Sequence, residues 1–292
     1  MDETINIGIL HYKTIEKTRR CVLSLLKSNV KTNIFIIDNF SNDGSLEKLK
    51  EEYSEVPCIH FLCLPENKGF ARSNNDYMRL MLERGEKYAI LSNNDIVFKD
   101  DTFTKLIHPL QNDNKIIITV PKVLNPDGLY FDSVKSHLDN NFVQFIYHKR
   151  KEGSKRIPLA QKCEVLTPVK SFIGCCFACN LEQMRQIGFM DENTFLFYEE
   201  AILSTKIKKT TLKIMYQPEA TVFHDQGATT ASLNLKVIGI EMDSRIYYLK
   251  NYLNTNKYIL KFYMKYKRMR DWKIFHNKEL YEMETDIIKK LQ

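Results

Sequence analysis

The sequence predicts an α/β protein built on a mostly parallel central sheet flanked by helices, with a helical extension at its carboxyl end. Three observations carry that expectation. Short apolar runs alternate with segments of helical periodicity through the first 120 or so residues. The runs are almost wholly apolar, the pattern of strands buried on both faces. Polar turns follow the second, third and fourth runs, where open α/β sheets bind ligands beyond the carboxyl ends of their strands.

Residues 5–10, around "NIGIL", form the first strand, and "IEKTRRCVLSLLKSN" sets Cys21, Val22, Leu25 and Leu26 at helical spacing. "NIFIIDNFSNDGSLEKLKEEY" gives a strand, a polar turn and a helix, and "IHFLCLPENKGFARSNNDYMRLMLERG" repeats the plan. "KYAILSNNDIVF" is the fourth strand, ending in Asn93, Asn94 and Asp95. "IIITVPKVLNPDGLYFDSV" supplies a strand and a turn at Asn125 to Gly128, and residues 140–170 read as loops and β-structure. "PVKSFIGCCFACNLEQMRQIG" resumes strand then helix, "DENTFLFYEEAILSTKIKK" enters a helix after Glu199 and Glu200, and "LKIMYQPEATVFHDQG" is a last strand ending near His224. From Leu233 onward the chain is helical, aromatic and basic. The expected division is an α/β domain over 1–232, with halves of about 1–120 and 121–232, and a helical basic and aromatic extension over 233–292.

A chain of 292 residues with 43% hydrophobic and 27% charged residues has the composition of a globular protein, which excludes disordered and fibrous classes. No apolar run approaches the ~20 residues of a membrane-spanning helix, and "MDETINIGILHYK" lacks the basic and apolar regions of a signal peptide, so a cytoplasmic location is expected. The seven cysteines show no repeated paired spacing. Cys175, Cys176 and Cys179 are expected as small buried packing residues, a redox pair or half a metal site being the alternative. The net charge of +7 is uneven, basic residues dominating from Arg245 to Lys278.

Each polar cluster admits a chemical and a structural reading. Asp95 beside two amides suits a hard divalent cation, and equally suits an Asx-turn or helix cap. Asp38, with Ser41 after it, suits a nucleobase imide N–H near a ribose, but any polar turn looks similar. Glu199 and Glu200 follow the aromatic run "FLFY", where desolvation raises a carboxyl toward the range of a general base; acidic pairs are also favoured at helix starts by the dipole. His224 is a candidate metal ligand or a structural strand-end histidine.

Taken in order, "IGILHYKTIEKTRRCVLSLL", "IIDNFSNDGS", "ENKGFARSNND", "LSNNDIVF", "GCCFACNLEQMRQIGFMDENTFLFYEEAIL" and "KIMYQPEATVFHDQGATT" resemble the family 2 glycosyltransferases, inverting enzymes of the GT-A fold, and within them the rhamnosyltransferase-like branch. The resemblance spans about residues 5–230. It implies that Asp38 binds the pyrimidine base of a UDP- or dTDP-sugar, with His11, Tyr12 and Ser41 lining that pocket. Asn67, Gly69 and Arg72 would follow the nucleotide toward the diphosphate, with Asn93 and Asn94 on the same nucleotide-sugar side. Asp95 takes the place of the last aspartate of a D-x-D-like motif and, with His224, would hold Mg²⁺ or Mn²⁺. Glu200 falls on the aspartate that deprotonates the acceptor, a glycan or lipid-linked hydroxyl, with Glu199 before it. The departures are Asn93 for the first acid of D-x-D, glutamate for aspartate at 200, and Ile202 where a supporting acid is usual.

Two rival classes carry different signatures. A sugar-1-phosphate nucleotidyltransferase wants a glycine-rich basic loop after the first strand, and "ILHYKTIEKTRR" has no glycine after the strand. A nucleic-acid-binding protein fits the tail "NKYILKFYMKYKRMRDWKIFHNK" but leaves the strand-end residues without a role, so no nucleic-acid partner is expected. That tail, basic with interleaved aromatics, is expected to dock on an anionic membrane surface, to close the domain or to form a homo-oligomer contact.

Overall fold

The computed structural model describes residues 4–28, 30–99, 101–131, 133–151, 158–225 and 234–291, with backbone alone at 147–151. The chain opens with β1 (Ile5–His11), α1 (Ile15–Leu26), β2 (Thr32–Asp38), α2 (Ser45–Glu52), β3 (Ile59–Cys63), α3 (Phe70–Glu83) and β4 (Tyr88–Asn93). Next come β5 (Ile96–Phe98), α4 (Thr102–Asn112), β6 (Ile116–Leu124) and β7 (Val134–Lys135). After α5 (Phe142–Lys151) and α6 (Leu159–Lys162) lie β8 (Thr167–Val169), β9 (Ser171–Phe172), β10 (Cys176–Asn180) and α7 (Leu181–Gln186). The chain closes with α8 (Glu199–Lys208), β11 (Lys213–His224), α9 (Leu235–Asn251), α10 (Lys257–Phe275) and α11 (Lys278–Lys290).

Two compact units emerge. The first comprises 1–138, 157–192 and 199–227; the second comprises 139–156, 193–198 and 228–292. The boundary expected at 232/233 lies outside the described residues. Two short excursions from the middle of the chain belong with the C-terminal helices, which a single cut in the sequence does not convey.

In the first unit the main sheet runs in the order β3-β2-β1-β4-β10-β6-β11-β5, with β8 pairing on β11. Strands β1 to β4 pair in parallel, and β10 runs antiparallel between β4 and β6, so the sheet is mixed. Successive residues of β2 face opposite layers, and both layers are apolar. Ile34 and Ile36 pack with Cys21, Val22 and Leu25 of α1, whereas Phe35 and Ile37 pack with Ala71, Tyr77 and Met78 of α3. This is why the run reads as continuously apolar. Gly8 in β1 permits the close approach of α3: a Cβ there would sit 2.6 Å from the Tyr77 ring. Cys175, Cys176 and Cys179 are buried and free, as a packing role requires.

The second unit is helical. Asn234, Asn256 and Asn277 cap α9, α10 and α11, each side-chain oxygen accepting backbone N–H groups of the first turn. Inside it, Lys267 Nζ donates to Asp271 (2.5 Å) and Glu284 (2.7 Å), all three side chains buried. The expectation of loops and β-structure at 140–170 is corrected in part: β8 is there, but the stretch begins with α5. That helix starts from a reciprocal cap in which Asn141 accepts from the Gln144 N–H while Gln144 accepts from the Asn140 N–H. It is anchored by Phe142 and Phe145 against Tyr263, over a hundred residues away, a partner no local pattern reveals. Among the described residues no helix is long and apolar enough to cross a membrane.

Candidate functional site at the carboxyl edge of the sheet

Parallel register brings the strand ends into one rank. His11 pairs with Asp38, Asp38 with Cys63, and Leu10 with Asn93, so the polar groups that follow β1, β2 and β4 emerge side by side. His11 is fully buried. Its Nδ1 lies 2.7 Å from Thr18 Oγ1, its Nε2 2.9 Å from Ser45 Oγ, and Asp38 Oδ1 is 4.0 Å away. Burial lowers the His11 pKa, with Asp38 and Asp43 opposing that effect, so the imidazole is neutral near pH 7. Ser41 closes the turn by donating its hydroxyl (2.5 Å) and backbone N–H (3.3 Å) to Asp38. In turn Ser41 Oγ accepts the Lys13 N–H at 3.0 Å. Tyr12 projects into solvent with the Lys13 ammonium over its ring.

The start of α1 is the hub between this rank and the end of β4. Asn94 donates its amide to Thr14 Oγ1 (2.7 Å) and Thr18 Oγ1 (2.9 Å), so Thr18 joins Asn94 to His11. One turn on, Lys17 Nζ lies 3.4 Å from Asp95 Oδ2 and donates to the Asp225 carbonyl at 3.2 Å. Asp95 Oδ1 faces His224 Nε2 at 3.2 Å, an ion-pair distance without hydrogen-bond alignment; this oxygen and His224 Nδ1 are buried without a hydrogen-bond partner. Burial works against ionisation of Asp95, but His224 and Lys17 outweigh it and hold its pKa below the ordinary value. The Asp225 carboxylate is taken by Arg20 at 2.6 Å.

The acidic pair divides at the start of α8. Glu199 is buried, whereas Glu200 keeps part of its side chain exposed. Glu200 Oε1 accepts the Gly174 N–H at 2.8 Å, and a Cβ at Gly174 would lie 2.5 Å from that oxygen. Only glycine leaves room for the carboxylate. Desolvation raises the Glu200 pKa, the backbone N–H groups of Glu200 and Gly174 partly offsetting it. The next residue, Cys175, ties this acid to β4: its carbonyl accepts the Asn93 N–H at 2.9 Å. Burial, with the charges of the Asp95 and Glu200 carboxylates adding to it, pushes the Cys175 thiol up to about 12, so the thiol stays protonated and inert.

The structure thus links His11 to Asn94 through Thr18, places the Asp38–Ser41 turn beside them, sets Asp95 against His224, and links Asn93 through Cys175 to the loop that holds Glu200. Asn67, Gly69 and Arg72 lie apart from these contacts, at the turn before α3 and on α3 itself. Asn67 accepts the Gly69 N–H at the turn before α3, and Arg72 reaches Glu192 (3.0 Å) and Asp76 (3.3 Å). Thr14, Lys17, Thr18 and Gly174 were not legible as site residues. "TIEKT" reads as an ordinary helix start, and the one available signal for Gly174 was its place just before the buried "CCFAC" strand. Among the described residues no three His, Cys, Asp or Glu side chains cluster as a self-sufficient metal site.

A mixed sheet in this strand order, flanked by helices and carrying its polar rank at the strand ends, is the architecture of a GT-A glycosyltransferase. The chain belongs to glycosyl transferase family 2, whose pattern it matches over residues 7–182, from β1 into α7. Asp38 and Asp95 lie within that stretch, and Glu200 and His224 beyond it. The dTDP-rhamnosyl transferase RfbF of Shigella flexneri is 23% identical over 265 residues, 89% of this chain and 80% of the relative. The low-salt glycan biosynthesis hexosyltransferase Agl10 of Haloferax volcanii is 24% identical over 228 residues, 77% of this chain and 68% of the relative. Two solved structures share the fold. One is GalNAc-T7 with UDP, GalNAc and Mn²⁺ (TM-score 0.57, 17% identity, 85% of this chain). The other is the mannosyltransferase PcManGT of Pyrobaculum calidifontis with GDP-Man and Mn²⁺ (TM-score 0.59, 11% identity, 86% of this chain). This chain spans 51% and 64% of their lengths.

Proposed function

We propose that the chain is an inverting, divalent-metal-assisted glycosyltransferase. It moves a sugar from a UDP- or dTDP-sugar to the hydroxyl of a glycan or lipid-linked acceptor in surface polysaccharide synthesis. The observation that carries this reading is the carboxylate of Glu200, raised in pKa by burial and seated on the Gly174 N–H, in a loop whose next residue, Cys175, accepts the Asn93 N–H at the end of β4. The family membership and the name of the Shigella relative support a dTDP-sugar donor.

In this reading Asp38 accepts the imide N–H of the pyrimidine, and its orientation is set by the hydroxyl and backbone N–H of Ser41. The acceptor oxygen attacks the anomeric carbon from the face opposite the diphosphate. Glu200 takes the hydroxyl proton as the new C–O bond forms, and the bond to the diphosphate breaks with its electron pair. Asp95 and His224 would hold the cation, which when bound neutralises the departing diphosphate. The pair fits such a group because Asp95 Oδ1 is buried with no hydrogen-bond partner and lies 3.2 Å from His224 Nε2, so an oxygen and a nitrogen donor face each other there. The Asp95 carboxylate suits Mg²⁺ or Mn²⁺, both of which favour oxygen, and His224 would add one nitrogen. Asn93 contributes no second carboxylate, so the donor diphosphate must supply much of the coordination.

Thermal-shift screening with UDP- and dTDP-sugars, with and without Mn²⁺, tests the reading, since a ligand that binds only the folded state raises its melting temperature. One nucleotide sugar is expected to raise Tm, and more so with Mn²⁺. If none does so under either condition, the proposal fails.

Gly174→Ala tests the seat of the base. The added Cβ would displace the Glu200 carboxylate, and a misplacement near 1 Å lowers turnover by about 100-fold. Steady-state kinetics are expected to show that loss in kcat with the donor KM little changed; a kcat within a factor of two of the native chain would remove Gly174 from the site.

A further inference from the structure

We infer that the outward face of α10 is a docking surface for an anionic lipid bilayer. The helix is inverted with respect to the usual amphipathic arrangement. Its inward residues are Leu260, Met264, Lys267 and Asp271, two of them charged, whereas the opposite face carries Tyr258 (71% exposed), Phe262 (74%), Tyr266 (51%) and Met269 (56%). Spacings of four, four and three place these side chains in one stripe along the helix. Ile259, Trp272, Ile274 and Phe275 are exposed beside it. Single exposed apolar residues need no explanation, but a contiguous stripe of this length marks an interaction surface.

The charges select the partner. Basic residues accompany the stripe at Lys257, Lys261, Lys265, Arg270 and Lys273, whereas Arg268 turns onto Tyr281 and Thr285 of α11. The one acid of the helix, Asp271, is buried and already paired with Lys267 and Arg270. The outward face of the helix therefore presents aromatic and aliphatic groups among cationic side chains, with no acid of its own, which matches a bilayer interface: apolar chains enter the acyl boundary while lysines reach anionic headgroups. A second copy of the chain would bring lysines against lysines across a two-fold axis. Single-stranded nucleic acid would reward stacking on the aromatics but offers nothing to Ile259, Met269 and Ile274. The surface stands independently of the reaction proposed above. That it brings the enzyme to a lipid-linked acceptor rests on that reading.

Co-sedimentation of the full chain with vesicles tests the inference. Binding is expected to phosphatidylcholine vesicles doped with phosphatidylglycerol, weakening with salt, and at most weakly to phosphatidylcholine alone. Phe262→Ser/Tyr266→Ser/Met269→Ser, all outward side chains, is expected to leave Tm unchanged and to lower partitioning at least tenfold. Lys257→Gln/Lys265→Gln/Lys273→Gln is expected to reduce it by about fivefold per lysine. No binding to anionic vesicles overturns the inference, as does binding that the apolar triple variant retains. So does a dimer in sedimentation equilibrium that the same variant dissolves, or RNA binding that it abolishes while vesicle binding persists. The vesicle assay needs no donor or acceptor, so its failure and failure of the glycosyltransferase reading are separate results.

Discussion

Glu200→Gln is expected to reduce kcat by roughly 10²- to 10⁴-fold, the usual contribution of a positioned base, while leaving donor binding intact and the fold more heat-stable at neutral pH. The amide is nearly isosteric, and its oxygen can still accept the Gly174 N–H that now meets the carboxylate at 2.8 Å. What it removes is the charge. Burial raises the folded-state pKa of Glu200 above the unfolded value. The native protein therefore binds more protons than the unfolded chain in the window between the two, and its stability falls as pH rises through that window. The neutral amide escapes this loss. The Tm of the variant should exceed that of the native chain above the window and coincide with it below the ordinary carboxylate pKa. The kinetic sign follows from the same group. Only the ionised form accepts a proton, so kcat should rise with pH through a pKa above the ordinary carboxylate range. Unchanged turnover sinks the assignment; a variant less stable at every pH means Glu200 is a structural acid.

The parts of this arrangement that were legible in sequence are those set by local pattern. Runs such as "NIFIID" announced strands buried on both faces, and Ile34 and Ile36 do pack against α1 while Phe35 and Ile37 pack against α3. Once the strands were parallel, His11, Asp38, Asn94 and Asp95 had to emerge on one edge, because register carries strand ends together. The direction of β10 was not legible: "CFACN" is apolar whichever way it runs, and its antiparallel place between β4 and β6 follows from long-range pairing. The role of Gly174 required knowing that its loop meets Glu200, twenty-six positions later. Thr14, Lys17 and Thr18 were hidden for the opposite reason. A helix start rich in Thr and Lys is locally ordinary, and only the meeting of α1 with Asn94 and Asp95 gives it chemistry.

Asp95→Ala is expected to abolish the Mn²⁺-dependent part of donor binding. For a donor at about a hundred times its Kd, ligand linkage is worth ~2.7 kcal/mol, a rise in Tm of about 5–10 °C in a domain of this size. Asp95 is the one carboxylate at the end of β4, Asn93 and Asn94 being amides, and Asp225 is held by Arg20. Few groups can therefore compensate. His224 alone, a single imidazole, is a weak site for a cation that favours oxygen. The substitution also releases Lys17, whose ammonium now lies 3.4 Å from Asp95 Oδ2. A freed ammonium at this edge can meet the donor diphosphate as a point charge. Asp95→Ala should accordingly keep a smaller, metal-independent Tm rise that Lys17→Met/Asp95→Ala loses, whereas Glu200→Gln should keep the full Mn²⁺ response. The two acids thus separate by assay, one governing how the donor and cation bind and the other what happens once they have. A Mn²⁺ response undiminished in Asp95→Ala would move the cation away from β4 and leave Asp95 as the partner that holds Lys17 and His224 in place.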